Sequence, residues 1–84
     1  MRIYTKDANR TASAIAEEIK FDESYGSFSS KVSDAAYKWL NWHAGSLAHL
    51  VEDLLDYKYY VVITRENEYG EHYIHVEWNE ILNP

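Results

Sequence analysis

The chemistry-bearing residues of this 84-residue chain gather near its C-terminal end, where His72 and His75 lie three apart and Glu77 follows His75 by two. A His-Tyr-Ile-His spacing suggests metal binding. On a strand, however, residues three apart point to opposite faces, so the two imidazoles could converge only through a bulge. Tyr73, His75 and Glu77 do share a face. A histidine beside a carboxylate can act in general acid–base chemistry, but spacing alone places no third group and equally suits a polar decoration of an exposed sheet. Ser46 and His49 fall three apart on a helical stretch and could touch. With no orienting acid or oxyanion donor specified, Ser46 is more simply a polar-face or capping residue beside Gly45. His43 falls within an apolar helical stripe, as expected of a core-edge residue. There is no P-loop, dinucleotide fingerprint or calcium loop, and three glycines are too few for a phosphate cradle. No cofactor, metal or catalytic residue is expected.

The elements that must position these residues follow from periodicity. Arg2-Ile3-Tyr4-Thr5 reads as a short strand. Asp7 can cap a helix whose Ala8, Ala12, Ile15 and Ile19 share one face. Phe21 to Ser30 reads as a Ser/Gly loop anchored by Phe21, Tyr25 and Phe28. Ser29 or Ser30 can then cap a long helix. Its apolar positions run Val32, Ala35, Ala36, Trp39, Leu40, His43, Leu47, Leu50, Val51 and Leu54. The apolar phase runs through Gly45, so a continuous or gently bent helix is expected there.

Tyr57 to Thr64 and Glu71 to Trp78 read as the strands of a β-hairpin around the turn-forming residues 65–70. Pattern sets Ile63 opposite Ile74 and Val61 opposite Val76, or a register displaced by two that keeps the same faces. A lone hairpin is barely stable in water, so its apolar face should cover the long helix. The expected fold is a single α+β domain over 1–84 in the order β-α-α-β-β, with a sheet of two or three strands.

Composition narrows the function. No cysteine is present, which removes disulfide staples and thiolate zinc sites. No segment reaches the roughly 20 apolar residues that span a bilayer, and the N-terminus lacks the apolar stretch of a signal peptide. A cytoplasmic protein is expected, in the host cytoplasm if a phage encodes it. The formal charge of −6 is confined to one region. Residues 1–51 hold six acids and six bases, whereas residues 52–84 hold eight acids against Lys58 and Arg65. Such a balance argues against direct binding to nucleic acid, whose phosphates demand clustered Lys and Arg.

Glu52, Asp53 and Asp56 close the long helix, where its dipole disfavours acids by roughly 0.3–1 kcal/mol each. A helix tuned for stability alone would carry bases there. Glu66, Glu68 and Glu71 flank the hairpin tip and Glu77 lies on the second strand, with Tyr60, Tyr69, Tyr73 and His75 among them. Tyrosine offers a large contact area at low entropy cost, and rows of carboxylates steer association with a basic partner. These eleven residues are the expected partner-binding surface. The competing reading is a solvated face that maintains solubility and blunts a sheet edge.

In size, charge and tyrosine content the chain resembles small acidic inhibitors of phages and mobile elements, such as anti-CRISPR proteins and DNA mimics. Bacterial immunity proteins and antitoxins share this composition. No motif carries the likeness, so no functional residue is transferred through it. It implies an interaction protein that occludes a basic, nucleic-acid-binding site on a partner. Two readings of other classes are a small hydrolase using Tyr73, His75 and Glu77, and a homodimer formed through the hairpin's outer face or a strand edge.

Overall fold

The computed structural model describes residues 5–21 and 25–81. It shows an α+β domain in which two helices cover one face of a three-stranded antiparallel sheet: α1 (Thr5–Phe21), β1 (Tyr25–Lys31), α2 (Asp34–Leu54), β2 (Tyr59–Glu68) and β3 (Glu71–Glu80). The sheet order is β1-β3-β2, so the last strand is central. As expected, the long helix packs on the C-terminal hairpin.

The third strand comes from an unexpected place. Thr5 begins α1 rather than ending a strand, and residues 1–4 of the expected first strand lie outside the described residues. The strand is instead β1, cut from the segment read as a loop, which makes the observed order α-β-α-β-β. Serine and glycine are poor strand formers, and pairing with β3 overrides that preference. Gly26 makes the pairing possible. A Cβ there would sit 2.9 Å from the Trp78 ring, so only glycine allows the strand this close. Phe28 packs at 5.9 Å between ring centroids on the same indole and is the anchor expected of it. Phe21, expected to anchor too, is 94% exposed.

Asp7 lies inside α1's first turn rather than at its cap. Ala12, Ile15, Ala16 and Ile19 form the helix's buried stripe. α2 starts one turn later than expected. Ser33, not Ser29 or Ser30, is the N-cap, its Oγ accepting the Ala36 N–H at 3.2 Å. Val32 therefore precedes the helix, its N–H donating to the His72 carbonyl. α2 runs unbroken through Gly45 and buries Trp39, Leu40, Leu47, Ala48 and Val51. Helical phase places Leu54 with them, but the helix stops there, leaving Leu54 45% exposed and Leu55 buried at the C-cap.

The hairpin adopts the displaced register, with Val61 opposite Trp78 and Ile63 opposite Val76. Its strands are longer than pattern indicates because the turn is only Tyr69-Gly70, at φ of 53° and 75°. Two consecutive left-handed residues give the primed hairpin turn that matches strand twist. The inner face of the sheet contributes Val61, Ile63, Ile74, Val76 and Trp78 to the core. Among the described residues, no helix covers its other face.

Candidate functional site

Strand pairing builds that uncovered face row by row. Ser27, Glu77 and Val62 form one row, Ser29, His75 and Thr64 the next, and Lys31, Tyr73 and Glu66 the third. Glu71 and Glu68 close it toward the turn, and Asn79 and Tyr60 lie at the far end. Seven of the eleven expected contact residues thus share one surface: Tyr60, Glu66, Glu68, Glu71, Tyr73, His75 and Glu77. Tyr69, 93% exposed, stands at the tip beside them.

The other three lie outside the rows of that face, on the helical side of the β2 edge and away from the glutamates of the hairpin tip. Glu52, Asp53 and Asp56 end α2, in the helical layer beside the start of β2. At about 3.3 Å per residue, Glu66 lies roughly 17 Å along β2 from Val61, which Glu52 contacts directly. The Glu52 side chain is only 16% exposed, and its Oε2 accepts the Val61 N–H at 2.9 Å. Glu52 therefore caps a free edge amide of β2 instead of facing a partner. This explains an acid at the unfavourable end of a helix dipole: the backbone bond offsets the repulsion. Asp53 neighbours Tyr57, whose hydroxyl pKa is raised by desolvation and by the Asp53 charge.

On the sheet face, the Lys31 ammonium donates to Glu71 Oε1 at 2.7 Å, and the Tyr73 hydroxyl donates to Glu71 Oε2 at 2.9 Å. The bond and charge of Lys31 hold the Glu71 carboxyl below its ordinary pKa, while Glu71 raises the pKa values of Lys31 and Tyr73. Glu71 is thereby neutralised locally. His75 occupies the centre. Its Nε2 lies 3.1 Å from Glu77 Oε1, and its Nδ1 lies 3.1 Å from Ser29 Oγ. Ser29 Oγ also donates to Glu66 Oε2 at 3.3 Å. The result is a chain of polar side chains running from Glu66 through Ser29 and His75 to Glu77.

Sequence reasoning found His75 and Glu77 but missed Ser29 and Lys31, because both sit on the strand read as a loop. The available signal was weak: Ser27 and Ser29 flank Phe28 in the alternation of a half-buried strand.

His72 points to the other face of β3, as its period-2 separation from His75 requires. It stacks on Tyr37 at 4.0 Å between centroids, and its Nδ1 lies 2.9 Å from Asp34 Oδ1 without the alignment of a hydrogen bond. The Arg65 guanidinium lies 4.8 Å from the centre of the same Tyr37 ring. This cluster ties α2's first turn to the hairpin. His49, considered with Ser46, instead faces Glu52 at 3.6 Å and Tyr57 at 6.0 Å between rings. His43 is half-buried against Trp39. Among the described residues no cluster of three or more His, Asp or Glu is arranged to hold a metal ion, and no helix is long and apolar enough to cross a membrane.

Comparison with known proteins finds no family, no curated protein and no solved structure that matches this chain. The functional reading therefore rests on the geometry.

Proposed function

We propose that this chain is a protein-binding inhibitor whose open sheet face docks on a basic surface of a partner and occludes a nucleic-acid-binding site there. The supporting observation is the asymmetry of the sheet. Within the described strand rows, its helix-free side gathers Glu66, Glu68, Glu71 and Glu77 with Lys31, which is already committed to Glu71. Tyr60, 60% exposed, and Val62 offer apolar area beside them. Paired strands hold the backbone beneath these groups at fixed spacing, so no loop has to be ordered on docking. The partner's Lys and Arg would meet the carboxylates as they would meet phosphates, and electrostatic steering would speed the encounter. A basic nuclease neutralised by an immunity protein or antitoxin, or a phage-targeted nucleic-acid-binding protein, fits this reading equally. The setting is the cytoplasm of the cell that holds the partner.

The test begins with affinity capture from the native host and identification of the captured protein. Replacing Glu66, Glu68 and Glu77 together by Lys should slow association at least about tenfold and flatten its salt dependence. Binding that tolerates both salt and the triple reversal rules out the electrostatic reading.

One observation favours a second reading. The Ser29–His75–Glu77 chain has the connectivity of a nucleophile, a general base and an orienting acid. Against it, the Ser29 proton has Glu66 as a competing acceptor. Labelling of Ser29 by a fluorophosphonate, lost in His75→Ala, would move the assignment to a hydrolase. Absence of labelling and of activated-ester turnover would remove that reading.

A further inference from the structure

The two edges of the sheet are treated differently. On β2, residues 59, 61, 63, 65 and 67 direct their backbone groups outward, because Ile81 N–H bonding to the Lys58 carbonyl fixes the alternation of β3. That edge is flanked by α2, and Glu52 occupies the Val61 amide. On β1, the bond from Val32 N–H to the His72 carbonyl assigns the even residues to β3. The backbone groups of Tyr25, Ser27, Ser29 and Lys31 therefore point away from the sheet, and no hydrogen bond between described residues closes that edge. Of the three described strands, β1 alone carries no acidic residue.

We propose that β1 pairs antiparallel with β1 of a second copy of this chain, forming a continuous six-stranded sheet about a two-fold axis. The outward-bonding residues fix a self-complementary register. Tyr25 bonds with Lys31 of the other copy and Ser27 with Ser29, in both directions, so all seven residues pair and Phe28 lies on the axis opposite its twin. That central position is a non-hydrogen-bonded pair, the closer of the two antiparallel types, which brings the half-exposed phenyl rings together.

The neighbouring helix is complementary across the same axis. An open groove of about 330 Å³ beside Phe28 is lined by Arg10, Ala14 and Glu18 of α1 together with Lys31 and Val32. Ala14 lies midway between Arg10 and Glu18, so a two-fold axis passing here sets Arg10 of one copy toward Glu18 of the other. The acidic faces do not oppose this union. Three strand spacings separate the two copies of β3, about 14 Å, beyond the roughly 8 Å over which exposed charges interact in physiological salt.

Light scattering across micromolar to millimolar concentrations, on the full chain, tests the pairing. The expected result is a monomer–dimer equilibrium. Ser27→Pro removes one edge donor per copy while leaving the bonds to β3, and should raise the dimer Kd at least about tenfold through the two backbone bonds lost across the axis. Should Ser27→Pro unfold by circular dichroism, the exposed pair decides. Arg10→Glu alone should weaken the dimer, and Arg10→Glu with Glu18→Arg should restore it. A strictly monomeric wild type overturns the proposal, as does a dimer indifferent to these substitutions.

Discussion

The two faces of one sheet show how differently the same strands can be used. Toward the helices, Val61, Ile63, Ile74, Val76 and Trp78 are almost fully buried; toward solvent, Glu66, Glu71, Tyr73, His75 and Glu77 of β2 and β3 make polar contacts among themselves and with Ser29 and Lys31 of β1. A β-strand presents successive side chains to opposite sides, so this division costs the chain no additional elements. Stability resides on one face, and the other remains available for chemistry or contact.

The sharpest way to break that division is to damage the inner face. Leu47→Ala, which deletes a side chain 1% exposed against the sheet, should cost about 2–5 kcal/mol in urea unfolding. Gly26→Ala comes next. Its methyl group meets the rigid indole of Trp78, itself 2% exposed, and should cost about 1–3 kcal/mol while loosening β1. Substitutions on the outer face should scarcely register. Glu66→Lys, Glu68→Lys and Glu77→Lys should each shift stability by no more than about 0.5 kcal/mol; a loss comparable to Leu47→Ala would mean the outer network is structural.

The smallest expected effect is a titration. The lowered pKa of Glu71 contributes stability that is present above the unfolded carboxyl's pKa and is lost as pH falls through the folded one. Lys31, with its raised pKa, contributes stability present below the unfolded ammonium's pKa and lost as pH rises through the folded value. Carbon-detected NMR of the Glu71 carboxyl should find its midpoint below that of an ordinary glutamate. Lys31→Gln should move it upward.

Most of the inner face was legible in the sequence because burial imposes a period. Trp39, Leu40, Leu47 and Val51 mark α2, and the alternation in β2 and β3 marks the hairpin. Features that depend on distant partners were not legible. β1 carries a single phenylalanine among serines and a glycine, and it becomes a strand only through β3, more than 40 residues away at every pair. The hairpin register could not be separated from one displaced by two, since both keep the same residues inside. The Tyr69-Gly70 turn decides it, with a tyrosine in a left-handed conformation that asparagine more often fills. Ser29 is hidden in the sequence along with its strand, and Glu52 looks like a contact residue there because sequence cannot show a carboxylate reaching a backbone amide nine residues on.

The sheet order has a consequence for how the domain assembles and opens. β2 and β3 are joined by two residues and can close in microseconds, whereas β1 must be recruited across a loop of more than 40 residues, with a larger entropic penalty. In the monomer, β1 should therefore join the sheet late and leave it first. Hydrogen exchange should follow that sequence, with the Phe28 and Ser30 amides exchanging well before the Val62 and Thr64 amides of the hairpin.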